Sequence, residues 1–464
     1  MFLWKPVQQR GREQQHLFSI TGFEGLFHSG VTIAKNDSQC HFSERLLVSA
    51  SLSIPTPAQQ QPLENKEPEL QGCSSSPTLK CLDHQPLPTP VSKPATPKGR
   101  LASLDAFRGL TIALMILVNS PGDTETVYSH LSHVVWNGWT FADTVFPSFL
   151  FIVGVSLVFS HAKQEEKGIS NSTFMVQLMR RAIILFALGL LINSFPTFQL
   201  STIRIPGVLQ RIAVCYFLTS LIVLKAGLRG RILWLIGLLA SYWLMMRFMP
   251  VPGIGAGVLE PGKNFAAWVD SLFLKGHMWS YYDGTWDPEG IVSTIPAIGT
   301  TLFGVLTGQW LRSSLPERRK VSGMVCAGLV LLIAGYILDR WLPINKSIWT
   351  STFSIFMAGV ALVCLAFFYW LIDIADFSRW ANPFIILGLN PITVYVLSEV
   401  FDTTLRIFNL PMYLGQAINC QSYLFKSLCI AKPQISSLLY SLLTLLCMLL
   451  IAWIMWRKRL FIKI

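Results

Sequence analysis

Charge is what this chain has least of: of 464 residues, 13% are Asp, Glu, Lys or Arg, against about 25% in a soluble globular domain. Half of the charge that a water-facing surface would need is missing. With 52% hydrophobic residues and a mean hydropathy of +0.48, much of the surface must face lipid instead. Metal-binding spacing is missing too. The nine cysteines form no C-x-x-C or Cys/His pattern, so neither a zinc site nor another metal is expected. Cys215, Cys326, Cys364 and Cys447 lie in apolar runs and read as small core residues. No G-x-x-x-x-G-K-[ST], G-x-G-x-x-G, G-x-S-x-G or H-E-x-x-H occurs, which speaks against an NTPase, a dinucleotide enzyme, a serine hydrolase or a zincin. No charged n-region followed by an apolar h-region opens the chain, so no cleavable signal peptide is expected.

What is present divides in two. Residues 53–98 are rich in Pro, Gln and Ser, as in "PTPAQQQPLENKEPELQ" and "PLPTPVSKPATPKG", and such a composition cannot bury a core. A disordered low-complexity tail is expected over 1–98 and a membrane domain over 99–464. Apolar runs near the roughly 20 residues that cross a bilayer centre on 104–120, 140–161, 177–195, 207–225, 231–249, 291–311, 321–342, 350–372, 382–401 and 434–456. The expected fold class is all-α, a polytopic membrane bundle of about ten transmembrane helices behind that tail. The net charge of +12 sits in short clusters between these runs rather than on one arm or face, so a nucleic-acid partner is not expected. Counting Lys and Arg in alternate loops gives sixteen on one side and eight on the other. Short basic loops stay in the cytoplasm, which puts both termini there and loops 120–138, 250–290 and 402–433 on the far side. Cys420 and Cys429 share the last of these loops, where either a disulfide or two unpaired thiols fit.

Ionisable residues within spans are costly and default to functional candidates facing the bundle interior. Here they are Asp105, Arg108, Asp143, Arg211, Asp339 and Glu399, joined by the amides of Asn119, Gln210 and Asn390. Asp105 and Arg108 stand three apart and either pair to anchor the first helix or serve a ligand. Arg211 reads equally as an interfacial arginine that snorkels. Most of the eight histidines lie in the tail, at a span end or in long loops. His133 differs, because Asn119 at the outer end of the first span and Asp143 at the start of the second flank the loop that carries it. An imidazole beside a carboxylate and an amide suits acid/base or nucleophilic chemistry; a solvated loop histidine is the plain alternative. The loop "YYDGTWDPEGIVST" sets Asp283, Asp287 and Glu289 among aromatic residues, which suits an amino or polyhydroxyl ligand such as a sugar. An interfacial aromatic belt with incidental acids fits the same pattern.

The ordered motifs "LASLDAFRGLTIALMILVN", "HVVWNGWTFADTVFPSFLFIVG", "RIPGVLQRIAVCYF", "WDPEGIVSTIPAI", "PINKSIW" and "LGLNPITVYVLSEVF" resemble the heparan-α-glucosaminide N-acetyltransferase family, including its bacterial members, over residues 101–464. The resemblance implies a transmembrane acyltransferase that takes acetyl groups from cytosolic acetyl-CoA and passes them to a glucosamine-type amine on the far side. By matching position, the histidine of the family's H-x-x-W-N-G motif falls on His133 and the asparagine ending its first helix falls on Asn119. His133, Asn119 and Asp143 are therefore the expected catalytic group. Asp287, Glu289, Asn390 and Glu399 are expected at the acceptor, and Arg108 and Arg211 at the acetyl-CoA co-substrate. Expected partners are the lipid bilayer and an amino-sugar or oligosaccharide acceptor, with a homodimer allowed. The expected location is a bacterial inner membrane, or alternatively a lysosomal one. Loop 120–132 is closer in length to bacterial forms, and residues 1–98 do not resemble a folded lumenal region, which moves the expectation away from heparan sulfate itself. An amino-sugar transporter using the buried acids as a proton relay, and an O-acetyltransferase of surface polysaccharide, are the alternatives.

Overall fold

Apolar residues at helical spacing begin at Ala102, and from there the computed structural model is almost wholly helical; it describes residues 101–413, 416–428 and 432–462. The tail expected over 1–98 and the pairing of Cys420 with Cys429 lie outside the described residues. In chain order the helices are α1 (Ala102–Asn119), α2 (Val145–Glu166) entered through a 3₁₀ turn (Phe141–Thr144), α3 (Asn171–Ser194), α4 (Val208–Lys225), α5 (Leu228–Phe248), the short α6 (Phe265–Phe273), α7 (Thr294–Leu311) and α8 (Glu317–Leu338). There follow α9 (Ser351–Phe368), which runs on through a π-helical turn (Tyr369–Ile374), then α10 (Asn382–Leu389), α11 (Pro391–Ile407), α12 (Cys420–Ser427) and α13 (Pro433–Arg457). Two small antiparallel hairpins, β1 (Pro250–Val251) with β2 (Gly255–Ala256) and β3 (Asn409–Tyr413) with β4 (Gln416–Asn419), sit in loops.

Among the described residues eight helices are long and apolar enough to cross a bilayer, and nine if a bent pair counts as one span. The expected span over 382–401 is that bent pair. Helices α10 and α11 meet at 76° because Asn390 precedes Pro391, which cannot donate a helical hydrogen bond and crowds the residue before it. The expected span over 291–311 is α7, a full helix whose threonines, glycines and Gln309 make it too polar to count among the apolar eight. It needs no lipophilic surface, since Thr300, Thr301, Leu302, Val305 and Thr307 are all buried against neighbouring helices.

Burial sorts the helices into an inner and an outer ring. The apolar windows of α1, α2 and α9 are 61%, 72% and 61% buried, against 17% in α3, 22% in α5 and 17% in α8. The outer helices present Ile183, Leu233, Ile236, Val330 and Ile333 outward, which in a membrane is the lipid face. Backbone-to-backbone approach holds the inner ring together. Gly154 and Gly304 let α2 and α7 touch, and Gly109 and Gly388 do the same for α1 and α10, in each case where a Cβ would run into a carbonyl of the facing helix.

One end of the bundle gathers loops 120–140, 195–207, 249–293 and 339–350. Gly138 N donates to Ile344 O at 2.7 Å, Trp136 Nε1 to Leu259 O at 3.0 Å, and Ile205 N to His277 O at 2.9 Å. At the other end the start of α1 meets the π-helical turn, with Ser103 N donating to Asp373 at 3.2 Å, and Tyr369 donates to Glu317 at the head of α8. The loops that share the first end are those in which basic residues are sparse.

Adding a methyl at Gly304 is expected to lower the melting temperature of the purified protein in detergent, at a cost of about 1–3 kcal/mol from overpacking. Gly237→Ala on the outer ring, where a Cβ meets nothing within 4 Å, is expected to be neutral or slightly stabilising. Equal melting temperatures for the two variants would contradict the close α2–α7 approach.

Candidate active site

The chain leaves α1 at Asn119 and returns to the bundle at Asp143, so the loop between them must bring its polar groups back over the end of the inner ring. Asp143 is fully buried, and a buried carboxylate is tolerable only when its oxygens are paired and hydrogen-bonded. Its Oδ2 accepts from Thr140 N at 2.9 Å, Thr140 Oγ1 at 3.0 Å and Val134 N at 3.3 Å. Thr140 thereby closes a capping box at the entry to α2. Oδ1 lies 2.7 Å from His133 Nδ1 and 3.3 Å from Lys346 Nζ. Among these sequence-expected residues, His133 and Asp143 are thus in direct contact.

Lys346 comes from turn 339–350, which is stitched to the His133 loop. Besides the bond from Gly138 to Ile344, Asn345 Nδ2 donates to Asn137 Oδ1 at 3.1 Å. The turn itself is fixed by Asp339 Oδ1 accepting from Ile344 N at 2.6 Å and by Thr350 Oγ1 donating to Pro343 O at 2.8 Å. The lysine ammonium consequently stands 2.8 Å from Nδ1 and 3.2 Å from Nε2 of His133. Burial and then the Lys346 charge push the His133 pKa down from its usual 6.5, against the raising effect of Asp143. The imidazole is therefore neutral at neutral pH. In the tautomer that donates from Nδ1 to Asp143 Oδ1, the lone pair of the ring sits on Nε2.

His133 and Lys346 open onto a cavity of about 250 Å³ that also takes in Asn119, Arg204, Trp279, Tyr282 and Glu289. Asn119 reaches it from the last turn of α1 and is engaged from behind by the buried carboxyl of Glu399 on α11. Another part of the lining belongs to an ion-pair cluster. Arg204 donates through Nε and Nη2 to Asp287 at 2.8 and 2.7 Å, pairs with Glu289, and lies over the Trp279 ring at 4.8 Å. Burial works against the arginine's charge, but the carboxylates of Asp287 and Glu289 outweigh it and raise its pKa. Tyr282 stacks on Trp286 at 4.0 Å, and Trp286 meets Trp136 edge-on at 5.1 Å, so the acids sit on an aromatic wall.

The remaining expected site residues lie elsewhere. Asp287 backs the cavity without lining it, because its carboxylate is taken by Arg204, Trp279 N and Glu289 N. Asn390, at the α10–α11 break, clamps the C-terminal segment through Leu460 O and Ile462 N. Arg108 lies toward the other end of the bundle, bonded to Asp105 at 2.9 Å and to Ser156 Oγ at 2.6 Å. Arg211 is at the His133 end, buried against the Trp349 ring at 5.0 Å and donating to Gly290 O and Ser293 Oγ. Gln210 packs on Gly189 and Gly207. Lys346 and Arg204 stand in the sequence only as loop charges. The signal for both is position inside an ordered motif, "PINKSIW" for the lysine and "RIPGVLQ" for the arginine.

A family model described as heparan-alpha-glucosaminide N-acetyltransferase, catalytic, matches residues 100–337. The Mus musculus protein named heparan-alpha-glucosaminide N-acetyltransferase is 28% identical over 420 residues, covering 79% of this chain and 60% of its own length. The Homo sapiens protein of the same name is 30% identical over 358 residues, covering 65% of this chain and 53% of its own. The chain therefore aligns with between half and two thirds of each relative. The matched segment contains Asn119, His133, Asp143, Asp287 and Glu289 and stops short of Lys346.

Titration of His133, followed by NMR of the ¹³C-labelled imidazole, is expected to show a midpoint below 6.5. Asp143→Asn removes a carboxylate that favours the imidazolium, so the midpoint is expected to fall further. A midpoint that rises in this variant contradicts the charge arrangement.

Proposed function

Because the chain belongs to the heparan-alpha-glucosaminide N-acetyltransferase family, we propose that it is a membrane acyltransferase that moves an acetyl group from cytosolic acetyl-CoA to a glucosamine-type amine at the His133 cavity. The observation that carries this reading is His133 held between Asp143 and Lys346 in the lining of a cavity that Glu289 also lines. An ammonium is not a nucleophile until a base removes its proton. A neutral imidazole with its lone pair on Nε2 is suited to that task, or to carrying the acetyl group itself as an acyl-imidazole. Asp143 holds the ring orientation and stabilises the imidazolium that forms. The Asn119 amide, steadied by Glu399, donates to the acetyl oxygen as negative charge develops there. The acceptor lies on the other wall, its sugar face on Trp279 and Tyr282 and its amine toward Glu289.

The donor enters from the opposite end. Arg108 and Asn119 stand eleven helical steps apart on α1, about 16 Å along a helix axis, a gap comparable to the pantetheine arm of CoA. Arg108 and the basic loops of that end suit the CoA phosphates. The charge asymmetry between alternate loops supports a cytoplasmic placement of that end, which leaves the cavity on the far side, the periplasmic one in a bacterial inner membrane.

Purified protein incubated with labelled acetyl-CoA and glucosamine is expected to yield N-acetylglucosamine. His133→Ala is expected to lower the rate at least about 10²-fold while leaving acetyl-CoA binding and melting temperature nearly unchanged. His130→Ala is the control, because that side chain is exposed and lies outside the cavity lining. Equal losses in the two variants, or more than about a tenth of the rate surviving in His133→Ala, would remove the catalytic assignment. An alkali-labile acetyl ester in place of the amide would move the chemistry to a hydroxyl.

A further inference from the structure

We propose that Lys346 is a catalytic residue of the transfer, its ammonium meeting the oxyanion that forms on the acetyl group. The inference rests on the acyl-transfer reading and extends it to a residue outside the matched family segment. Three observations carry it. The ammonium stands 3.2 Å from Nε2 of His133, the atom at which the acetyl group is attacked or from which the amine's proton is withdrawn. It lines the cavity with its side chain 19% exposed, so it is reachable by a ligand yet largely shielded from water. It is held in place on both sides: Asp143 Oδ1 lies 3.3 Å from Nζ, and the turn that carries it is bonded to the His133 loop through Gly138 and Asn137.

The chemistry follows from that position. In the covalent route Nε2 forms a bond to the thioester carbon while the carbonyl π pair moves onto oxygen. The C–S bond then breaks as the carbonyl reforms, and CoA leaves as thiolate. The acceptor amine next attacks the acetyl-imidazole, the same oxygen takes up and returns the charge, its proton goes to the departing imidazole, and the amide is released. In direct transfer the amine adds to the thioester carbon and gives its proton to Nε2, and the C–S bond then breaks as the carbonyl reforms, so that CoA leaves as thiolate. Either way an oxyanion arises within a bond or two of Nε2, and a fixed cation beside that atom lowers its energy most where water is excluded. An ammonium has three donors. Asp143 Oδ1 occupies part of this capacity, and the rest is left for the reacting oxygen.

A lysine that merely braced the loop would affect folding and little else, so the test separates the two. Lys346→Met is expected to lower kcat about 10²–10³-fold, the loss typical of removing one oxyanion donor, with the KM values for acetyl-CoA and glucosamine changed less than about threefold. Lys346→Arg is expected to recover part of the rate. In the ¹³C titration the His133 midpoint is expected to rise in Lys346→Met, because a neighbouring cation that opposes the imidazolium is gone; this readout needs no turnover. If wild-type protein transfers acetyl and Lys346→Met retains more than about a tenth of its kcat, the lysine has no catalytic role and the inference falls alone. If the variant loses activity only in step with its melting temperature, with the His133 midpoint unmoved, the role is structural and the inference is again overturned. If wild-type protein transfers nothing to any amine or hydroxyl tested, the acyl-transfer reading falls and takes this one with it.

Discussion

A carboxylate with no exposure to water is the constraint around which this end of the molecule is built. Asp143 is buried at the entry to α2, where both of its oxygens must find donors. Oδ2 satisfies itself locally on Thr140 and Val134, and this bends the loop back over the helix. Oδ1 is left to His133 and Lys346, so one buried atom orients the imidazole and holds a lysine 203 residues away in sequence. Partial burial first, and then the lysine, suppress protonation of the same imidazole that the carboxylate favours. Together they lower the pKa of a half-buried histidine while the carboxylate keeps it ready to accept a proton, which is what a general base or acyl carrier requires.

The membrane bundle supplies the rigidity that such an arrangement needs. Helix α1, which carries Asn119, and helix α2, whose 3₁₀ entry carries Asp143, belong to the inner ring. They are locked to α10 and α7 through glycines that let backbones touch. The cavity is thus framed by the ends of well-packed helices, while the wall that carries Trp279, Tyr282 and Glu289 comes from loop 249–293. That wall is rigid for a different reason. Arg204 ties Asp287 and Glu289 together over Trp279, and the rings of Trp136, Tyr282 and Trp286 pack behind. Arg211 grips the turn that follows through Gly290 and Ser293.

What could be read from the sequence follows from which signals are local. His133, Asn119 and Asp143 stand out because a histidine-bearing loop is flanked by polar residues at two apolar span ends, and lipid makes such polarity costly. Glu289 stands out through its aromatic surroundings, and the structure sets it in the lining of the same cavity as His133. Lys346 was not legible as a partner, since nothing local pairs it with His133; the pairing is made by the stitch between Asn137 and Asn345. Asn390 and Arg211 share the costly-polar signal yet occupy structural positions, one clamping the C-terminal segment and the other a buried turn. The rule that marks them cannot separate a buried ligand from a buried brace. The span count departs from ten for similarly non-local reasons: α7 can be polar because neighbours surround it, and the Asn390–Pro391 break divides what looks in sequence like one span.

Transfer of an acetyl group from a donor at one face of the membrane to an amine at the other, through the proposed site at His133, is tested in sealed vesicles with the cytoplasmic face outward, glucosamine enclosed and labelled acetyl-CoA added outside. Labelled N-acetylglucosamine is expected to accumulate inside the vesicles while CoA is released outside. Product that forms only when donor and acceptor are on the same side of the membrane would contradict it.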